Sequence, residues 1–329
     1  MTETLTIRNL SVTLHTRRGR VEALDDVSLS IGAGETLGLV GESGSGKSVL
    51  ARIIMRLLAT GGLIETEGTV LLDGKNVLAL PEKNLRHLRG RRMAMIFQDP
   101  MSSLNPTMRI GEQIAEGIRL HLGTSRAEAR ESASRMLASV GIADPKAQLD
   151  RYPSHLSGGM RQRVAIAIAL ACQPDILIAD EPTTALDVTV QAQILQLLRS
   201  EQQRRGMAML LVTHDLGVIA SHADRVAVLY AGQVMEIIAD ARRVRQSRMP
   251  YTAALVRAQP DMRAPAHVRL EAIGGLPPQL VSPPEGCRFA QRCPRALTIC
   301  SEERPPLEPG PIPGDALACW NPLPGSVAA

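Results

Sequence analysis

The sequence predicts an α/β fold built on a mainly parallel sheet, and three observations carry that prediction. Short apolar runs of strand length alternate with segments of helical period. A glycine-rich turn joins one such run directly to a helical segment. Apolar residues make up 44% of the 329 positions, enough to cover a sheet on both faces.

Taken in order, Leu5 to Val12 and Val21 to Ile31 read as strands of an N-terminal antiparallel β subdomain, joined through the polar HTRRGR. TLGLV (Thr36 to Val40) reads as a buried strand, and SVLARIIMRLL after it as a helix. Further buried strands are expected at Met93 to Phe97, Ile176 to Asp180, Ala208 to Thr213 and Arg225 to Tyr230, with helical patterns between them. From Pro100 to Ser157 the period is helical only (Ile110 to Leu122, Arg126 to Val140), which predicts an inserted helical subdomain over about residues 100–160. After Ala239 the composition shifts, and fourteen of the 22 prolines fall in the last 70 residues together with four of the five cysteines. Proline excludes regular helix and central strand there, so a first domain over 1–240 and a separate, loop-rich Cys/Pro-rich extension over 241–329 are expected.

Composition narrows the chemistry. Two Phe, three Tyr and one Trp leave almost nothing on which to stack bases, which argues against a nucleic-acid partner. The 37 basic and 33 acidic residues give a net charge of +4, a mild bias spread along the chain. The longest apolar stretch, Val164 to Cys172, is about half of the roughly 20 residues a membrane span needs. MTETLTIRNL has no charged region followed by an apolar one, so no secretion signal and a cytoplasmic setting are expected.

GESGSGKS (Gly41 to Ser48) fits G-x-x-x-x-G-K-[ST] between a buried strand and a helix. Glycines let such a turn fold back so that backbone N–H groups and the helix N-terminus face a polyphosphate. Gly41, Ser43, Gly44, Ser45, Gly46, Lys47, Ser48 and Val49 are therefore the expected nucleotide contacts, with Lys47 on the phosphates and Ser48 on Mg2+. A second buried strand ends in Asp180 and Glu181. Adjacent carboxylates there suit a cation site, Asp180 for the Mg2+ shell and Glu181 to polarise the attacking water.

The tract LSGGMRQR (Leu156 to Arg163), ahead of ILIADEP, resembles the signature of ABC ATPases. Gln98 in MIFQDP resembles that family's Q-loop, Ala185-Leu186-Asp187 its D-loop, and His214 in VTHD its switch histidine. The resemblance covers about residues 5 to 240. It implies a P-loop NTPase core that hydrolyses ATP sandwiched between Lys47's turn and the signature (Ser157, Gly158, Gly159) of a partner ATPase. It further implies that Gln98 couples Mg2+ and the attacking water to the helical insertion, that His214 bridges Glu181 and the γ-phosphate, and that Asp187 borders the nucleotide. The family usually stacks adenine on an aromatic residue. SVTLHTRRG has none, so Leu14 or His15, with Val21, is expected to cover the base.

Cys172 sits in an apolar segment and reads as a small core residue. Cys287, Cys293, Cys300 and Cys319, spaced C-x5-C-x6-C-x18-C, suggest a metal or cluster staple rather than disulfides in a cytoplasmic protein. Pro294 directly after Cys293 echoes some Fe–S sites. MPYTAALVRAQP (Met249 to Pro260), GLPPQL and PPEGCRFAQRCP resemble the C-terminal extension of oligopeptide and dipeptide importer ATPases. That resemblance implies a [4Fe-4S] cluster on the four cysteines; Zn2+ and free thiols are the alternatives. It also implies a motor on the cytoplasmic face of the inner membrane, working with two transmembrane permease subunits, a second and different ATPase, and an extracytoplasmic solute-binding protein. Nickel or another small solute is the alternative cargo. A soluble mechanical ATPase on nucleic acid or ribosomes is disfavoured by the single phosphate turn and the lack of coiled-coil heptads, and an Fe–S assembly ATPase would not carry this extension. ARRVRQSR (Ala241 to Arg248) reads as a solvated linker face or, failing that, as a contact for anionic lipid or a partner.

Overall fold

Residues whose side chains must be buried on both faces of a sheet form the centre of each half of this protein. The computed structural model describes residues 3–17, 19–58, 63–99, 103–184, 186–259 and 271–324. These divide into two compact units.

The first unit comprises Thr6–Ser30, Thr36–Lys75 and Leu211–Ala329. All five residues of the strand Thr36–Val40 are buried, and it runs parallel to Arg225–Tyr230, with Leu37 opposite Arg225 and Val40 opposite Val228. Arg225–Tyr230 then turns back through Ala231 and Gly232, both at positive φ (47° and 86°), into the antiparallel strand Gln233–Ile238. Two positive-φ residues between paired strands form the tight hairpin that matches strand twist. A four-stranded sheet, in the order Gly19–Gly32, Glu3–Thr16, Ile64–Leu72, Lys75–Asn76, belongs largely to the same unit.

The proline-rich stretch is not loop throughout. Ala316–Leu317 pairs antiparallel with Gln233–Ile238, and Glu308–Pro309 pairs with it in turn. Both are two-residue strands, and proline is tolerated there because an outermost strand needs few N–H donors. A helix, Pro250–Arg257, starts with proline at its first turn, where the missing N–H costs nothing. Arg288, 3% exposed, ties the stretch to the second strand through Glu22 (3.0 Å) and Asp25 (2.8 Å).

The other unit comprises Met1–Leu5, Ile31–Glu35 and Asn76–Leu210. Met93–Ile96 lies parallel to Ile176–Asp180, in register from Met93 opposite Ile176 to Ile96 opposite Ala179, and Ala208–Val212 lies beyond. Helices Ile110–Leu122 and Arg126–Ser139 occupy the predicted insertion, the first closed by left-handed Gly123 and the second opened by a Ser125–Glu128 capping box. Helix Gly158–Leu170 buries Val164, Ile166, Ala167 and Leu170.

Several boundaries differ from the sequence expectation. The helix after the phosphate turn is Lys47–Ile54, shorter than the apolar period, because Arg56 turns left-handed at φ 49°. Phe97 leaves its strand and is 39% exposed. Ile64–Leu72 was not expected as a strand because IETEGTV is mostly exposed and carries no apolar alternation. Among the described residues no helix is long and apolar enough to cross a membrane.

Candidate functional site

The strand Thr36–Val40 ends in a turn in which two glycines are required by space. A Cβ on Gly41 would lie 2.0 Å from the Leu229 carbonyl oxygen, and one on Gly46 would lie 2.7 Å from the Ala23 carbonyl oxygen. Gly46, at φ 104°, caps the helix Lys47–Ile54 and offers no side-chain acceptor to the first N–H groups. The first turn of a helix is the positive end of its dipole. Ser43 and Gly44 are exposed and Ser45 is buried, its carbonyl accepting from the Gly232 N–H at 2.9 Å. Lys47 is 6% exposed, and its Nζ donates to the carbonyls of Gly41 (2.8 Å) and Glu42 (2.9 Å) and to Ser45 Oγ (3.4 Å). A buried lysine at the start of a helix whose N-cap carries no side chain, behind a turn in which Gly41 and Gly46 leave no room for a Cβ, fits a polyphosphate. Ser48 and Val49 follow in the first helical turn, half-buried.

In the other unit, Asp180 closes a fully buried strand at 1% exposure. Glu181 follows at φ 48°, a left-handed conformation uncommon for this residue and found at strained functional positions. Gln98 Nε2 donates to Glu181 Oε2 at 2.8 Å, so two residues singled out from sequence meet. Thr184 Oγ1 donates to the same oxygen at 2.9 Å. Sequence reasoning missed Thr184, whose only signal was its place three residues after Glu181. Two donors on one oxygen set the carboxylate's orientation.

Ser157 caps the helix Gly158–Leu170, its Oγ accepting from the Met160 N–H at 3.3 Å, and Ser157 and Gly158 are exposed. Asp187 caps Val188–Arg205 through the Val190 N–H (2.9 Å). A Cβ on Gly159 would sit 3.0 Å from Val190 Cγ1, so these two helix starts are close. Gln162, 1% exposed and also missed, donates to the Pro182 carbonyl at 2.5 Å and ties this helix to the segment after Glu181. Ala185 of the expected D-loop, like Pro100 and Pro260, lies outside the described residues.

His214, in the first unit, is exposed, and its carbonyl accepts from Gln259 Nε2 at 3.2 Å. Leu14, His15 and Val21 are half-buried. His15 Nε2 meets Glu65 Oε1 at 2.9 Å while Arg20 holds Glu65 Oε2 at 3.0 Å, so His15 is engaged with a neighbouring strand. In the stretch Ala241 to Arg248, Arg242 pairs with Asp240 and Arg243 with Asp315, and Arg248 donates to the Leu323 carbonyl. These internal partners favour the linker-face reading.

The cysteine expectation needs correction at the level of geometry. Cys172 is buried, which raises its pKa. Cys287 and Cys300 are buried, Cys293 and Cys319 half-buried, and all four are free thiols. Burial, with the other three thiols adding to it, pushes Cys287 up to about 11. Cys293 and Cys319 are raised for the same first reason. Among the described residues no three His, Cys, Asp or Glu side chains are grouped so as to hold a metal ion, so the arrangement does not fit a [4Fe-4S] cluster or Zn2+ as it stands.

Residues 24–184 match the family described as ABC transporter, and residues 235–300 match the family described as oligopeptide/dipeptide transporter, C-terminal region. A probable peptide ABC transporter ATP-binding protein, y4tR of Sinorhizobium fredii, is 48% identical over 96% of this chain and 94% of its own length. The oligopeptide transport ATP-binding protein OppD of Salmonella typhimurium is 49% identical over 97% of this chain and 94% of its own. The chain belongs to the ABC transporter ATP-binding family. Among solved structures, the ATP-binding cassette MJ0796, a dimeric post-hydrolysis state bound to ADP and Pi, aligns at TM-score 0.63 and 31% identity over 70% of this chain and 96% of that one. This ABC ATPase therefore has the cassette fold, and ATP with Mg2+ is what such a cassette uses. Its Lys47, Gln98, Asp180 and Glu181 all fall inside the first matched region, and Cys287, Cys293 and Cys300 inside the second.

Proposed function

We propose that this ABC ATPase is the motor subunit of a membrane importer for di- or oligopeptides. The observation that carries the reading is that similarity to peptide-transport ATPases runs through nearly the whole chain, including the C-terminal region, and is not confined to the nucleotide core. The nucleotide-binding domain is taken as residues 1–240, with its helical subdomain over about 100–160, and the extension as 241–329.

When bound, Mg-ATP supplies the phosphoryl group to be transferred. The chain's own residues do the rest. Lys47 and the N–H groups from Gly44 to Val49 bind and orient the phosphates, and Ser48, Gln98 and Asp180 would hold Mg2+. Glu181, its Oε2 fixed by Gln98 and Thr184, accepts a proton from the attacking water. His214, its backbone carbonyl tied to Gln259, steadies the γ-phosphate. Ser157, Gly158 and Gly159 close on the nucleotide of a second ATPase, of a related but different sequence, and Asp187 borders the same junction. Leu14 and Val21 cover the base.

As the motor of such an importer, the chain sits on the cytoplasmic face of the inner membrane and works with two permease subunits and a solute-binding protein; among the described residues no helix is long and apolar enough to cross a membrane. A [4Fe-4S] cluster on the four cysteines has in its favour only their number and softness. Iron and acid-labile sulfide measured on anaerobically purified protein test it, and their absence removes it. The experiment for the function is gentle extraction of the tagged chain from its own membranes with identification of what accompanies it. Two multi-span proteins and a second ATPase are expected. Recovery with ribosomes or nucleic acid and no membrane protein would overturn the importer.

A further inference from the structure

The phosphate turn carries a carboxylate of its own, Glu42, where an anion is to be bound, and that charge is answered from far along the chain. Arg292 Nη1 donates to Glu42 Oε2 at 2.5 Å and Nη2 to Oε1 at 2.9 Å, a bidentate fork. The Arg292 side chain is 4% exposed and that of Glu42 23%, so the pair is screened far less than a surface one. Arg292 is itself fixed: Nη1 donates to Tyr230 OH (3.1 Å), Nε to the Gly274 carbonyl (2.8 Å) and Nη2 to the Ile273 carbonyl (3.3 Å). Its guanidinium carbon lies 5.7 Å from the Tyr230 ring centre and 5.9 Å from that of Phe289. The rings of Tyr230, Tyr251 and Phe289 pack at 4.5, 5.1 and 5.3 Å, half of the six aromatic residues in the chain. Tyr251 completes the hold, because its hydroxyl accepts the Glu42 backbone N–H at 2.9 Å. Both the backbone and the side chain of Glu42 are thus held by residues of the C-terminal extension.

We infer that Arg292 is a positioning residue of the nucleotide site: acting through Glu42, it fixes the rim of the phosphate turn and cancels a carboxylate charge that would otherwise repel the bound polyphosphate. This rests on the turn binding ATP. The role separates into two parts with opposite signatures. Losing Arg292 frees the turn and also leaves a carboxylate unpaired beside the phosphates, whereas losing the Glu42 charge frees the turn but removes the repulsion. Interactions that act equally on bound ATP and on the transition state change KM and not kcat.

The test is steady-state ATP hydrolysis by the full chain in its assembled transporter, with binding of a fluorescent ATP analogue to the purified full chain alongside. Arg292→Ala should raise KM for ATP about tenfold with kcat within about twofold, and Arg292→Lys should recover part of the loss, restoring charge without the fork. Glu42→Gln should raise KM only about threefold, and the double variant should bind ATP more tightly than Arg292→Ala alone. Arg243→Ala, which breaks an ion pair with Asp315 within the extension, should leave KM unchanged. An Arg292→Ala protein with wild-type KM and analogue affinity, or a double variant no better than Arg292→Ala, would overturn the inference. Should Arg292→Ala not fold, Arg292→Lys and Glu42→Gln carry the decision, since wild-type affinity in both overturns it and weakened affinity in both upholds it. If the wild-type complex hydrolyses no ATP, the motor reading fails, and the analogue's dissociation constants still decide on Arg292.

Discussion

Two helices of this protein begin with glycine-bearing turns, and they are built to opposite specifications. Lys47–Ile54 starts from left-handed Gly46 with no side-chain cap, its lysine buried and its turn pressed against neighbouring backbone. Gly158–Leu170 starts from Ser157, which satisfies one of the helix's own N–H groups, and the turn is exposed. The first has no side-chain cap and holds its lysine inside the fold, as a site for an anion requires. The second is stabilised for life in water and suits a surface met from outside. On the proposed reading, the first turn binds phosphate and the second closes on a partner's nucleotide.

The sharpest way to break that comparison is Lys47→Ala. Equilibrium binding to the full chain should weaken about 100-fold, because a charge-assisted contact from a buried lysine is lost; unchanged affinity would mean that the turn does not hold the phosphates. Next in size is Gly159→Val, whose added carbon would lie 3.0 Å from Val190 Cγ1 before its branches are placed. Turnover in the assembled transporter should fall about tenfold with ATP affinity within about twofold. Equal loss of affinity in both variants would erase the distinction between the turns. Ser157→Ala removes a cap worth about 1 kcal/mol, and thermal unfolding should register a drop of about 2 °C.

The smallest effect is a pH dependence in the unit that carries the phosphate turn. Burial raises the Glu236 pKa above its ordinary 4.5, and the Ser247 hydrogen bond at 2.6 Å works against that rise. The folded chain holds this proton more tightly than the unfolded one, so the contribution is full below 4.5 and is lost as pH rises through the folded pKa. Glu236→Gln abolishes the titration. The melting temperature of wild type should fall relative to Glu236→Gln, by about 1 °C, between about pH 4 and about pH 7. Parallel curves would show that Glu236 titrates alike in both states.

What was legible in the sequence was what chemistry compresses into short runs. The phosphate turn and the buried strand ending in Asp180 and Glu181 are local patterns that follow from glycine requirements and apolar runs, whereas Ser157 and Asp187 were placed by family resemblance and their capping roles came from the structure. The meeting of Gln98 with Glu181 spans 83 residues and was approachable only through the order of motifs. Arg292 and Glu42 are 250 residues apart, and no spacing rule joins an arginine among cysteines to the second residue of a phosphate turn. The short strands Glu308–Pro309 and Ala316–Leu317 were hidden because two residues carry no period, and proline argued against them.

The most direct test of the catalytic reading is the fate of ATP on the assembled transporter carrying Glu181→Gln, with retained nucleotide and released phosphate measured together. If Glu181 takes the proton from the attacking water, ATP stays bound while phosphate release falls about 100-fold or more. Release at the wild-type rate would contradict that role.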